Sequence, residues 1–290
     1  MKKIITLLLT LIMAVSLGSC KNSKKNKIAT ANELRNYLDY IGGNNIKIIS
    51  KIESQEGIDN FQSILEVSDG IMVARGDMGV EIPMEEVPIV QKRFIKECNR
   101  AGKMVITATQ MLESMTTNPR ATRAEVSDVA NAVLDGTDAV MLSGETTVGK
   151  FPVEVVRYMA EICRDTEEYY DYDYKFASER EVDITETIAD SVVEAASVLD
   201  IKLIIASTVS GDTARRISNL KPRCLILAAT NSEKVARSLA LNYAVYPTIV
   251  PASESTDEVV AIAKEKAKEV MGIQSGDIIA ITGGFPKNGA

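Results

Sequence analysis

Residues 46–77 read IKIISKIESQEGIDNFQSILEVSDGIMVARGD. The stretch opens on a β-branched run at 46–52, passes through an apolar-periodic segment at 58–67, and closes on a short apolar run, GIMVA, at 70–74. Strand, helix and strand in that order predict a parallel unit, because parallel neighbours need a crossover that a helix usually supplies. The rhythm continues down the chain. Residues 88–101 are amphipathic and stop at Gly102, and MVITAT at 104–109 is a third strand. Thr122 and Glu125 have the spacing of a capping box, predicting a helix to Leu134. Residues 139–142 form a fourth strand, and Pro152 suits the first turn of a helix reaching about residue 169.

Four strands alternating with helices predict an α/β fold, either a parallel sheet or a (β/α)8 barrel. Residues 165–181, DTEEYYDYDYKFASERE, are acidic and tyrosine-rich without an apolar period, and mark a domain boundary. Beyond it come a helix at 184–199, a strand at 203–207, a helix at 213–220 and a strand at 224–229. Thr230-Asn-Ser-Glu233 is expected to cap the next helix, followed by a strand at 245–250. A further capping box at Ser255–Glu258 opens a helix to about residue 271, and the strand at 277–282 is stopped by Gly283-Gly284. This pattern predicts a smaller three-layer α/β domain. The expected division is 28–170 for the first domain and 171–290 for the second.

Composition narrows the chemistry. The 290 residues are 46% hydrophobic and 25% charged, enough for about two domains with sizeable cores. Lysine and arginine total 33 against 40 aspartates and glutamates, a net charge of −7, so there is no electrostatic case for nucleic acid as a partner. Histidine is absent, which removes Ser-His-Asp triads, HExxH zinc sites and imidazole acid–base chemistry. Catalysis must therefore run on lysine, carboxylates, hydroxyls, thiols or a hard metal ion. The four cysteines, Cys20, Cys98, Cys163 and Cys224, are too far apart in sequence for a zinc ribbon.

The front end reads differently. Met1-Lys2-Lys3 is basic, residues 4–15 are almost purely apolar, and Leu17-Gly18-Ser19-Cys20 follows. That is the pattern of a secretory signal peptide over 1–20, and its ending resembles a bacterial lipobox with Cys20 as the lipidated residue. Residues 21–27, KNSKKNK, read as a basic tether. The other reading of the apolar run is a buried core helix.

Polar residues gather just after the strand ends, where barrel active sites sit. Lys51 and Glu53, two apart on a strand, project from one face and suit charge stabilisation beside a metal ion, or simply a surface ion pair. Asp77 follows Arg75-Gly76, where a glycine lets backbone approach a ligand and Asp77 could join Glu53 around one Mg2+. The same three residues could be a plain turn or an exposed adhesion-type RGD tripeptide. Thr109 closes a strand and offers a hydroxyl to substrate, or caps the turn that follows it. Ser143-Gly144-Glu145 is a similar strand-end turn.

Residues 46–58, GIMVARGDMGVEIP at 70–83, MVITATQMLESM at 104–115 and RATRAEVSDVANAVLDGTDAVMLSGET at 120–146 together resemble the pyruvate kinase family, in order and over long blocks. The resemblance extends through the second domain to ITGGFP at 281–286. It implies phosphoryl transfer from phosphoenolpyruvate to ADP, giving pyruvate and ATP, with Mg2+ (or Mn2+) and K+. It implies Lys51 as the catalytic cation, Glu53 and Asp77 as metal ligands, and Gly76, Asp77 and Thr109 as substrate contacts, with Arg75, Ser143 and Glu145 supporting them. Thr208, Ser210, Gly211 and Thr213 resemble a loop that holds a sugar-phosphate effector. Complete members carry an eight-stranded (β/α)8 TIM barrel, and the resemblance covers its last four strands, which implies a partial barrel over 28–170. The arginine and asparagine contacts, the K+ ligands and much of the nucleotide site belong to the part it does not cover, as does the lid domain. A half-barrel with open strand edges is expected to self-associate. The family implies the cytoplasm, whereas the leader implies export or a lipid-anchored membrane location. Two other functions stay open: a non-catalytic membrane-anchored binding protein, and an effector-binding remnant with the half-barrel as scaffold.

Overall fold

The structure, a computed structural model, describes residues 13–16, 26–44, 46–172, 183–252 and 256–283. Cys20, most of the leader and tether, much of the acidic boundary, Ser255 and Gly284 lie outside the described residues. The chain forms two compact units, one holding the described residues up to Asp171 and the other those from Tyr172 onward.

The first unit runs β1 (Met13–Ser16), α1 (Asn26–Tyr40), β2 (Ile48–Ile52), α2 (Gln55–Asp59), α3 (Phe61–Val67), β3 (Gly70–Ala74) and α4 (Arg75–Glu81). It continues through α5 (Val87–Arg100), β4 (Met104–Ala108), α6 (Arg123–Leu134), β5 (Ala139–Met141), α7 (Gly144–Thr147) and α8 (Pro152–Glu167). The five strands lie side by side in sequence order, all parallel. The four expected strands are present. The fifth, β1, lies within the run read as a leader and pairs with the outer edge of β2, Met13 opposite Ile48 and Ser16 opposite Lys51. A short apolar segment and a buried parallel strand share one composition, so the sequence alone does not separate them.

The helix expected over 58–67 is two. Ser54 caps α2 by accepting the Gly57 N–H at 3.3 Å, and the chain re-initiates after Asn60, whose amide donates to the Glu56 carbonyl at 2.8 Å. The Thr122–Glu125 box forms in both directions, as its spacing predicts. Ile52, Ile64, Leu65, Ile71, Val73, Phe94, Ile95 and Val105 fill the layer between sheet and helices, with Phe61 and Phe94 stacked at 3.8 Å. Each such side chain, fully buried, contributes about 1.5–3 kcal/mol. Ile49, Met72, Ile106 and Ala108 face the other way. Strand alternation puts Lys51 on the Ile49 face, so that face of the sheet leads to the candidate site.

The second unit contains α9 (Ile184–Val198), β6 (Leu203–Ser207), α10 (Asp212–Asn219), β7 (Leu225–Thr230), α11 (Glu233–Leu239), β8 (Val245–Ile249), α12 (Thr256–Met271) and β9 (Ile279–Gly283). Its sheet has the order β8-β7-β6-β9, again parallel. Ile204, Ala206, Ile226 and Ala228 pack with Ala189 and Ile217 on one face, and Leu203, Ile205 and Leu227 pack with Ala263 and Ala267 on the other. Helices on both faces make three layers. Thr230 is not the cap of α11. Ser232 is, accepting the Val235 N–H at 3.3 Å, while the Thr230 hydroxyl accepts from Ser232 N–H. The difference arises because Thr230 still belongs to β7.

Candidate active site

Three strand ends meet. Lys51, at the end of β2, places its ammonium 2.7 Å from Glu53 Oε2 and 3.6 Å from Asp77 Oδ2. Glu53 is nearly buried, whereas Asp77, in the first turn of α4, is 65% exposed and turned toward solvent. The hydrogen bond to Glu53 raises the Lys51 pKa above its ordinary 10.5, burial opposing and the Asp77 charge assisting. The site therefore keeps a permanent cation between two carboxylates.

Gly76 donates its backbone N–H to the Thr109 hydroxyl at 2.7 Å, across from β3 to β4. A Cβ on Gly76 would meet that hydroxyl at 3.2 Å, so a side chain there would push it by a few tenths of an ångström. The expected cap on the turn after Thr109 is replaced by this bond, because Ala74 gives α4 no side-chain cap and its first amides need an acceptor. Thr109 and Gln110 both have positive φ, 70° and 53°, which costs about 1–3 kcal/mol each for non-glycine residues.

Arg75 is 8% exposed. Its Nη2 donates to the carbonyls of Thr109 at 2.8 Å and Gln110 at 3.1 Å, and its Nη1 to Asp128 Oδ1 at 2.7 Å and Gln91 Oε1 at 3.2 Å. An RGD tripeptide with a buried, fully engaged arginine cannot present itself for adhesion. The signal for Gln91 was there to read, since it interrupts the apolar face of α5 between Val90 and Phe94. Glu145 is fully buried and accepts the N–H of Leu112 at 3.2 Å and of Ser143 at 2.8 Å. It fastens the loop after β4 to the loop after β5, and Ser143 takes part through its backbone.

Glu53 and Asp77 are the residues that could hold a metal ion. Among the described residues no group of three or more cysteine or carboxylate side chains converges. Two hard carboxylate oxygens fit Mg2+, which takes one or two carboxylates and fills its octahedron with water and phosphate oxygen.

The second unit carries the other candidate loop. Thr208 Oγ1 accepts the Gly211 N–H at 2.9 Å, Ser210 Oγ accepts the Asp212 N–H at 3.3 Å, and Thr213 lies in the first turn of α10. Gly211 sits at φ 85°, where a side chain would be strained and would crowd Arg215. Sequence reading missed Arg216, whose guanidinium binds Asp183 at 2.9 Å, Glu186 at 3.2 Å and Asp212 at 2.8 Å. Cys98 is buried, and Cys163 and Cys224 are partly buried. Burial pushes the Cys163 thiol up to about 11, with the Glu167 charge adding to it. No described helix is long and apolar enough to cross a membrane.

The family described as pyruvate kinase, barrel domain, matches residues 23–156, and that described as pyruvate kinase, alpha/beta domain, matches residues 186–290. This chain belongs to the pyruvate kinase family. It is 50% identical over 259 residues to the pyruvate kinase of Clostridium acetobutylicum, covering 88% of this chain and 54% of that one. It is 52% identical over 258 residues to the pyruvate kinase of Staphylococcus haemolyticus, covering 88% of this chain and 44% of that one. A solved pyruvate kinase from Cryptosporidium parvum superposes with a TM-score of 0.84 at 44% identity, over 90% of this chain and 55% of that chain. The pyruvate kinase family chain thus spans about half the length of the curated relatives it matches.

Proposed function

We propose that this chain takes part in phosphoryl transfer from phosphoenolpyruvate to ADP, giving pyruvate and ATP, through Lys51, Glu53, Gly76, Asp77 and Thr109. The observation that carries this reading is the meeting of the Lys51 ammonium with both Glu53 and Asp77 at the strand ends, beside the Gly76–Thr109 bond. Phosphoryl transfer asks mainly for positioning and fixed charge. Lys51 would stabilise negative charge on the transferring phosphoryl and on the enolate oxygen. Gly76 and Thr109 would hold the substrate against it. Glu53 and Asp77 would hold Mg2+ or Mn2+, which when bound polarises phosphoryl oxygens. K+ enters by family alone, and no residue of this chain is assigned to it.

Arg75, Ser143 and Glu145 belong to the same proposal as supports of the strand-end loops. In the second unit, Thr208, Ser210, Gly211 and Thr213 are proposed to receive a sugar phosphate. Its phosphate would replace the Thr208 and Ser210 hydroxyls as acceptor for the Gly211 and Asp212 amides. Self-association is proposed for the sheet of the first unit, whose outer strand β5 pairs with β4 on one side only among the described residues. The family reading favours the cytoplasm. A leader over 1–20 lipidated at Cys20 would instead place the chain at a membrane, and the mass of the Cys20 peptide from cells distinguishes them.

The test is pyruvate formation by the purified chain from phosphoenolpyruvate and ADP with Mg2+ and K+, beside Lys51→Ala. Turnover lost in Lys51→Ala supports the reading. A folded wild-type chain without turnover overturns autonomous catalysis, and phosphate-ligand binding to the second unit then becomes the activity to measure.

A further inference from the structure

Two consecutive non-glycine residues at positive φ do not hold themselves there, and Thr109 and Gln110 have such a pair of angles. Both carbonyls point at one side chain, the buried guanidinium of Arg75. Its other arm is fixed by Asp128 at 2.7 Å and Gln91 at 3.2 Å. We propose that Arg75 is a positioning residue, which holds the Thr109–Gln110 backbone in its left-handed conformation and so aims the Thr109 hydroxyl.

The consequence lies in how that hydroxyl is used. Its proton goes to the Ala108 carbonyl at 2.6 Å, and one lone pair accepts the Gly76 N–H at 2.7 Å. The Thr109 oxygen is therefore oriented by its backbone, not by rotation about its own bond. If the backbone relaxed to negative φ, the hydroxyl would leave Gly76, and the Gly76 amide, one residue before Asp77, would lose its acceptor. One buried guanidinium thus sets the geometry of two strand ends. Arginine is required because a planar fork reaches two carbonyls and two side chains at once, which a lysine ammonium cannot do.

The kinetic arm of the test rests on the phosphoryl-transfer reading, and the exchange arm does not. In Arg75→Lys, which keeps a charge opposite Asp128, amide exchange at Gly76 is expected to quicken by about tenfold or more. The Leu112 and Ser143 amides, both held by Glu145, should keep their wild-type rates. Turnover of Arg75→Lys combined with Thr109→Ala should be no lower than that of Thr109→Ala alone, since both changes remove one contribution. A merely structural arginine would multiply the two losses. Unchanged Gly76 exchange, or multiplied losses, overturns the proposal. If the folded wild-type chain has no turnover, the functional reading fails and the exchange result still decides this one. Should Arg75→Lys not fold, Arg75→Gln carries the same two expectations, because Asp128 is 37% exposed and can turn to solvent.

Discussion

Lys51 Nζ lies 2.7 Å from Glu53 Oε2, an ion pair between residues two apart on one strand face. Lysine at a strand end would ordinarily snorkel to water. Here it is folded back over a nearly buried carboxylate, and its residual reach is toward Asp77 at 3.6 Å. Lys51→Met should lower turnover by about 10²–10³-fold, the range for losing one preorganised group that faces developing charge. The folded pKa of Lys51 is raised above 10.5, so the pair's stabilisation is complete below 10.5 and is lost only as pH rises through the folded value. The stability gap between wild type and Lys51→Met, measured by denaturant melts, should therefore be flat from about pH 6 to about pH 9.

Mg2+ alone should bind weakly, because the Lys51 ammonium already lies against both carboxylates. On the proposed reading, phosphoenolpyruvate would bring phosphate oxygens that engage the metal and the ammonium together. Thermal melts should show a small shift with Mg2+, a larger shift with Mg2+ and phosphoenolpyruvate together, and neither in Glu53→Gln. A large shift with Mg2+ alone would mean that Lys51 does not compete for the carboxylates.

Gly76→Ala should damage function more than stability. Alanine favours helix over glycine by about 1 kcal/mol, which offsets much of the crowding. The new Cβ would still press the Thr109 hydroxyl at 3.2 Å and displace it by a few tenths of an ångström. Turnover should fall by about tenfold, with a melting temperature within a few degrees of wild type.

Glu145→Ala should destabilise the first unit by about 2–5 kcal/mol, since it leaves the buried N–H groups of Leu112 and Ser143 unpaired. Glu145→Gln keeps one carbonyl acceptor and should lose roughly half as much. Denaturant midpoints measure both. Equal losses would mean that charge, not the acceptor count, matters at this position.

Glu125 couples the turn at Glu113–Thr116 to the start of α6. Burial works to raise its carboxyl, but hydrogen bonds from Ser114 and Thr122 hold it below 4.5. The folded pKa is depressed, so its contribution is present above 4.5 and fades as pH falls through the folded value. Wild type should melt above Glu125→Gln at neutral pH, and the gap should close as the pH drops below about 4.5.

Much of this was legible in sequence because apolar runs and caps act locally. GIMVA at 70–74 had no reading except a buried strand, and Thr122–Glu125 had the spacing of the box it forms. Lys51, Glu53, Asp77 and Thr109 were legible as strand-end polar residues, and their convergence follows from parallel order. Arg75 was legible as a strand-end residue supporting the site, but not its task, which is set by the backbone angles of residues 34 and 35 positions away. Nothing in composition announces a positive φ at a threonine. The break at Asn60 was missed since the apolar period runs through it, and β1 because its residues also suit a leader.

The two sheets impose different schedules on a chain emerging from the ribosome. In the first, every strand neighbours the one made just before it, so each new strand–helix module can dock on an edge already built, and folding can keep pace with synthesis. In the second, β6 lies between β7 and β9, the latter being Ile279–Gly283. That interior strand has an unpaired side until β9 leaves the exit tunnel. A pause or a nick before residue 279 would thus release a chain with a folded first unit and a sticky, half-paired second one.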